Sequence, residues 1–110
     1  MHGLTTLQNL DCYHNQITSL NVSECSALKA LECYDNKLNA EKMKELLLAL
    51  PTRDAGTNAE AKLYIEKTNV IEGNYKDFTS SAELKAAFDG AKGRNWMLKK
   101  QKKSGLWGNI

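Results

Sequence analysis

The sequence lacks long hydrophobic runs, and its longest uninterrupted apolar stretch covers only residues 46–50. Because a transmembrane helix needs about 20 predominantly apolar residues, we expect no membrane insertion. The opening residues, Met1–Leu4, also lack the charged and apolar regions of a signal peptide. Either the protein is cytosolic or the chain is a piece of a longer one. We favour the second interpretation, because Leu4 and Leu7 enter a repeat with no amphipathic cap before them.

Cysteine is scarce: Cys12, Cys25 and Cys33 are odd in number and form no Cys-x-x-Cys pair. Histidines at metal-ligand spacing are absent as well. We therefore expect neither a disulfide framework nor a zinc site. Cys12 and Cys33 are instead predicted to be small, inward-facing apolar side chains, a common role of free cysteine.

The patterns that carry catalysis are also missing, since no glycine-rich phosphate loop follows a predicted strand. His14 lies close to Cys12, with Asp11 and Glu32 near both in the predicted sheet, so a catalytic thiol has to be considered. Strand alternation argues against it, because Cys12 points into the core while its neighbours point outward. We predict that the protein is not an enzyme and uses no cofactor or metal.

The feature that the sequence does contain is an internal repeat with a spacing of 21 residues, from Leu7 to Leu28. Six positions recur in register: Leu7, Leu10, Cys12, Tyr13, Asn15 and Ile17 correspond to Leu28, Leu31, Cys33, Tyr34, Asn36 and Leu38. The shared string, Leu-x-x-Leu-x-Cys-Tyr-x-Asn-x-(Ile/Leu), resembles the leucine-rich repeat, whose units are 20–29 residues long.

The resemblance implies two short strands, around residues 10–12 and 31–33, stacked in parallel. Alternation along each strand sends successive side chains to opposite faces. The predicted inward residues are Leu10, Cys12, Leu31 and Cys33, and the predicted outward residues are Asn9, Asp11, Tyr13, Ala30, Glu32 and Tyr34. Asn15 and Asn36 occupy the bends, where we expect their side-chain amides to bond the backbone of the neighbouring coil.

After the repeats the pattern changes to alternating helices and strands. Asn39 is a good helix N-cap, and Pro51 ends a predicted helix of about 11 residues. Residues 62–66 alternate like a strand, residues 80–83 open a second helix as a capping box, and residues 96–98 predict a last strand. This order favours parallel pairing with crossovers, so we extend the repeat sheet through the later strands.

The closing segment, with Leu50-Pro51-x-Arg53, Asn74 and Ala91-Lys92-x-x-Asn95-Trp96, resembles the C-terminal cap of extracellular leucine-rich repeat proteins of Bacteroidetes-type bacteria. The resemblance implies a secreted or cell-surface protein. The predicted fold is α/β: a short leucine-rich repeat solenoid with a small parallel sheet, closed by a strand-helix-strand cap. The repeats occupy residues 1–38, the helix and cap residues 39–98, and a basic tail residues 99–110.

The chain departs from such proteins in its small number of repeats, because at least three coils are expected for stability. We therefore expect weak self-association through the exposed N-terminal coil, or a missing N-terminal part. The basic tail, with Trp96 before it and Trp107 within it, has too few charges to specify nucleic-acid binding, and we predict a solvated segment. Whether residues 106–110 dock on the domain or are disordered stays open.

The predicted function is a non-enzymatic protein- or glycan-binding module that works through the concave sheet face. Its candidate ligand residues are Asp11, Tyr13, Glu32 and Tyr34. Tyr13 and Tyr34 should lie roughly 5 Å apart on neighbouring strands, and aromatic residues are enriched in binding hot spots. The alternatives are that the tyrosines only pack on one another, and that the chain is a purely structural closing unit of a longer solenoid with no ligand of its own.

Overall fold

The computed structural model describes residues 6–66 and 72–110. Leu4, which we expected to enter the first repeat, lies outside the described residues. Within them the chain forms five strands and two α-helices, with a short 3-10 helix over Ala55–Thr57. In chain order these are β1 (Asn9–Asp11), β2 (Ala30–Glu32), α1 (Ala40–Ala49), β3 (Ala59–Ile65), α2 (Ala82–Gly93), β4 (Trp96–Gln101) and β5 (Trp107–Asn109).

The strands form one sheet in the order β1-β2-β3-β4-β5. The first four are parallel, and β5 is antiparallel to β4. Leu10 lies opposite Leu31, so the two repeats are paired in the register that the sequence predicts. The prediction of an α/β domain with a mostly parallel sheet is confirmed.

Both helices pack on one face of this sheet. Because the strand order follows the chain order, right-handed crossovers place each connecting helix on the same side. The core lies between this face and the helices, where Leu31, Leu63 and Leu98 of the strands join Leu47 of α1 and Phe88 of α2 in one cluster. In the described part of the chain, the opposite face carries no helix.

Both helices begin at side-chain caps. The Asn39 side chain accepts a hydrogen bond from the Lys42 N–H at 2.9 Å, and the Ser81 hydroxyl accepts one from the Leu84 N–H at 3.1 Å. Such caps satisfy backbone donors that have no partner within the helix. Neither helix, within the described residues, combines the length and the apolar character that a membrane crossing needs.

Arg94 joins the ends of the two helices. It follows the last residue of α2, and its guanidinium donates hydrogen bonds to the carbonyl oxygens of Leu47 and Leu50 at the end of α1. The last carbonyls of a helix lack the N–H partner of a following turn. Arg94 supplies a donor to the Leu50 carbonyl and a second donor, beside the Leu50 N–H, to the Leu47 carbonyl.

Burial differs between equivalent positions of the two repeats. In the second repeat Leu28, Leu31, Cys33 and Leu38 are at most 1% exposed. Their counterparts in the first repeat, Leu7, Leu10, Cys12 and Ile17, are only partly buried against the same core. The second repeat has a neighbouring strand on each side, whereas β1 is the end strand of the sheet. Position in the sheet, and not residue type, therefore sets the burial.

Asn36 bridges the two repeats. Its side-chain NH₂ donates to the carbonyl oxygens of Cys12 and Cys33, both at 2.9 Å, and its side-chain oxygen accepts from the Ile17 N–H at 3.1 Å. Asn36 is 2% exposed. The predicted bond from this asparagine to the neighbouring coil is confirmed.

Asn74 repeats this arrangement one strand further along, donating to the carbonyls of Cys33 and Leu63 and accepting from the Leu38 N–H. Asn15 differs, because within the described residues its side chain bonds the carbonyls of Cys12 and Tyr13, both in its own repeat. The described residues contain no bond from the Asn15 side chain to a neighbouring coil. Asn36 and Asn74 each bond the residue that follows the preceding strand of the sheet, and β1 has no preceding strand in the described residues.

The C-terminal residues differ from the solvated tail that their charge predicts. Residues 99–101 continue β4, and Trp107–Asn109 return beside it as β5. Gly105, with φ of 92°, lies in the turn, where a positive φ favours glycine. Of the two possibilities left open, docking on the domain is the one that the structure contains.

Candidate functional site

Four charged side chains form a row across the open face of the sheet, which we call the outward face. Asp11, Glu32, Lys62 and Lys99 are register partners on β1, β2, β3 and β4. They alternate with inward residues such as Leu31, so strand geometry places them on the side away from the helices. This charged row changes from acidic to basic across the sheet. Asp11 and Glu32 therefore lie side by side, as predicted.

Ion pairs compensate only part of the charged row. Lys62 lies 3.6 Å from Glu32, and Lys99 lies 3.6 Å from Glu60. Partial burial raises the pKa of Glu32, and a hydrogen bond with Asp11 raises it further, while Lys62 opposes both effects. In the described residues, Asp11 has no basic partner within ion-pair distance. The acidic end at β1 therefore retains an affinity for positive charge.

A row of aromatic rings lies next to the charges on the same face. The rings of Tyr13 and Tyr34 stack with centroids 4.8 Å apart and an interplanar angle of 4°. Trp107 extends the row, with its ring centroid 4.9 Å from that of Tyr34 and a tilt of 53°. The predicted spacing of the tyrosines is confirmed. We call Tyr13, Tyr34 and Trp107 the aromatic row.

Trp107 lies on the outward face at a position where β3 presents no aromatic ring. The pairing of β3 with β4 is irregular between Lys62 and Tyr64, and the Tyr64 ring packs toward the helices, 6.0 Å from Phe78. The Trp107 ring reaches this part of the outward face from β5, and the Lys62 ammonium lies 5.1 Å from its centroid. Reasoning from the sequence missed both Trp107 and Lys62 as members of the site.

The stacking determines which parts of the rings are accessible. Tyr13 stacks on one ring face of Tyr34, and the tilted Trp107 ring contacts Tyr34 as well. Burial, and the negative charge of Glu32, raise the pKa of Tyr34 to about 12. Tyr13 is 39% exposed and has a neighbouring ring on one side. The row therefore presents mainly ring edges and hydroxyl groups.

His14 extends this surface on the β1 side, next to the aromatic row. Its ring lies edge-on to Tyr13 and Tyr34, with centroid distances of 5.1 and 5.5 Å. Its Nδ1 lies 2.5 Å from a carboxylate oxygen of Asp35. His14 and Asp35 occupy equivalent positions in the two repeats and share a φ of 56°.

The thiol beside His14 is poorly suited to nucleophilic chemistry. Burial, with a smaller contribution from Asp11, raises the pKa of Cys12 to about 11. Burial also raises the pKa of Cys33. Since the thiolate is the reactive form, both groups are held in their unreactive form near neutral pH. His14 is hydrogen-bonded to Asp35 instead.

The outward face is shallow. A hollow on it, with a volume of about 90 Å³, lies between Ala30, Glu32, Glu60 and Lys62. A larger cleft of about 400 Å³ lies beside α2, away from the aromatic row, with Phe88 among its lining residues. Small-molecule sites occupy about 300–1,000 Å³, so the outward face suits a ligand that lies across it.

Groups of acidic, cysteine and histidine side chains that could hold a metal ion are absent from the described residues. What the outward face offers is a line of ring edges and hydroxyls beside a line of charges that changes sign. Comparison with known protein families, with curated proteins and with solved structures finds nothing that matches this chain.

Proposed function

We propose that the protein is a binding module of the leucine-rich repeat type, from a secreted or cell-surface bacterial protein, and that it binds a protein ligand through its outward face. The parallel pairing of equivalent strands, with Leu10 opposite Leu31, supports the repeat type, as does the bridge that Asn36 forms between the repeats. The sequence resemblance of the closing segment supports the location. The aromatic row, on the face that neither helix covers, is the observation that carries the binding proposal.

The stacking of the rings favours a protein over a glycan as the ligand. A sugar that stacks on an aromatic residue needs a free ring face, and the stacking of Tyr13 on Tyr34 already covers one face of each ring. Ring edges, hydroxyls and charges of both signs instead match the mixed chemistry of a protein surface. Tyrosine and tryptophan are also enriched among the residues that dominate the energy of protein interfaces.

The test is a binding screen of the chain against purified extracellular proteins, with mucin glycans and bacterial polysaccharides in parallel. For a ligand found in this way, Tyr13→Ala should weaken binding about tenfold or more, the loss typical of an interface hot spot. The double variant Tyr13→Ala/Tyr34→Ala should abolish detectable binding. Leu48→Ala is the matched control, since Leu48 is 59% exposed on α1 and far from the outward face in the fold.

Urea unfolding of each variant separates a loss of binding from a loss of folding. A ligand that binds the double variant as tightly as the original chain would refute the outward face as its site. If the chain bound glycans and no protein, the proposed ligand class would be wrong and the proposed binding surface would stand.

One observation favours the second candidate, a closing unit of a longer solenoid. Asn15 makes the same bonds within its repeat as Asn36 does, and within the described residues it has no equivalent of the two bonds that Asn36 makes to the preceding repeat. A further coil placed before residue 7 would supply them. A chain in which residues 7–27 are duplicated ahead of Leu7 should then be more stable to urea, and an unchanged or lower stability would count against this candidate.

A further inference from the structure

The open edge of β1 carries backbone groups ready for pairing. The Gln8 carbonyl and the Cys12 N–H bond to β2, at 3.1 and 2.9 Å. Backbone groups of successive residues point to opposite sides of a strand. The N–H and C=O groups of Asn9 and Asp11 therefore point away from β2, and no strand of the described residues lies on that side.

Nothing in the sequence around this edge opposes pairing. Natural edge strands are commonly protected by lysine, proline or inward-pointing charge. Between residues 6 and 23 the chain has neither lysine nor proline, and Asp11 and His14 are its only acidic or basic side chains. Behind the edge, Leu7 and Leu20 are only partly buried. A strand added here would cover apolar surface as well as bond the backbone.

We propose that this edge pairs with β1 of a second copy of the chain, antiparallel and centred on Leu10, to give one continuous ten-stranded sheet. In this register Asn9 lies opposite Asp11 of the second copy, and the two residues exchange both backbone hydrogen bonds. The two-fold symmetry repeats this pair, so four backbone bonds form. Leu10 meets its own counterpart on the core side of the sheet.

The two-fold symmetry of the pairing decides its direction. A parallel second copy on the same edge would be related by a two-fold axis along the strand, which turns its outward face to the opposite side of the sheet. The partly buried Leu7 and Leu20 of the two copies would then lie on opposite sides as well. Like charges directly opposite one another on neighbouring strands destabilise a sheet. The antiparallel register places the Asn9 amide beside each Asp11 carboxylate instead. The antiparallel dimer is therefore favoured, because it keeps the apolar surfaces of both copies on one side and brings no like charges together.

This association goes beyond the proposed ligand binding and leaves its surface free. In a continuous sheet both outward faces point to the same side, so the dimer presents two aromatic rows together. A ligand with two copies of its epitope would then bind with avidity that one chain lacks.

The test is sedimentation equilibrium of the intact chain over a wide concentration range. Asn9→Asp places two like-charge pairs across the interface and should weaken the dimer about fivefold, whereas Asn9→Lys should strengthen it by a similar factor. Ser80→Asp and Ser80→Lys make the same charge changes at an exposed residue before α2. These two variants should leave the association constant unchanged.

The signs of the effects make the result decisive. Asn9 is exposed, so both of its variants should fold, and far-ultraviolet circular dichroism checks this. Weaker association of the aspartate variant together with stronger association of the lysine variant supports the proposed dimer. A monomer at every concentration overturns it. A dimer that ignores both Asn9 variants, or responds equally to the Ser80 controls, overturns it too.

Discussion

Substitution of Asn36 by alanine should destabilise the protein far more than the same substitution of Asn15. Without the Asn36 side chain, the Ile17 N–H loses its acceptor. The carbonyls of Cys12 and Cys33 each keep one donor, from Asn15 and Asn74. An orphaned donor costs about 1–3 kcal/mol, and the lost bonds of the buried amide add to this. We expect a loss of about 3 kcal/mol for Asn36→Ala.

Asn15→Ala should cost less than about 1 kcal/mol, because water replaces the bonds of this exposed side chain. The measurement is urea unfolding followed by circular dichroism, with both variants and the original chain in one series. Equal losses for the two variants would refute the difference in their partners. A loss below about 1 kcal/mol for Asn36→Ala would refute the bridging role of that residue.

Three further predictions concern stability and reactivity. Gly73→Ala should destabilise the chain by about 2 kcal/mol in urea unfolding, because a methyl group there would collide with the backbone oxygen of Asn36; unchanged stability would contradict this. Trp107→Ala should cost about 1–2 kcal/mol through its lost ring contacts, and an unaltered urea midpoint would argue against those contacts. Cys12 and Cys33 should react slowly with a thiol reagent at pH 8 and rapidly in urea, since burial raises both pKa values; fast labelling of the folded chain would be inconsistent with that burial.

The pairing of the two repeats could be predicted from the sequence because six matched positions share one period. Only one register then places Leu10 opposite Leu31, and alternation fixes which side chains share a face. The same reasoning predicted that Tyr13 and Tyr34 would be neighbours. Strand ends were less predictable. The alternating pattern indicated a strand over residues 62–66, whereas β3 begins at Ala59.

The C-terminal strand could not be predicted, because β5 depends on an antiparallel return along β4 that leaves no periodic pattern. The available signal was Gly105 between two short segments, of which the second contains Trp107. The lysines of residues 99–103 indicated solvent exposure instead. In the structure Lys99 belongs to β4, and its ammonium lies near Glu60. The charge of a residue alone therefore did not indicate whether it lies in a strand or in a solvated tail.

Equivalent sequence positions also have unequal surroundings. Asn15 and Asn36 match in the repeat, and only Asn36 has a preceding strand to bond. Burial and hydrogen bonding at such positions depend on neighbours in space, which a repeat pattern does not report.

The central claim, that a protein ligand binds the outward face, is tested most directly by mapping a ligand from the binding screen onto the chain by nuclear magnetic resonance. The account predicts that backbone amide shifts on titration concentrate at Asp11, Tyr13, Glu32, Tyr34 and Trp107, with little change in the helices. Shifts that concentrate on α1 or α2, with the aromatic row unaffected, would contradict it.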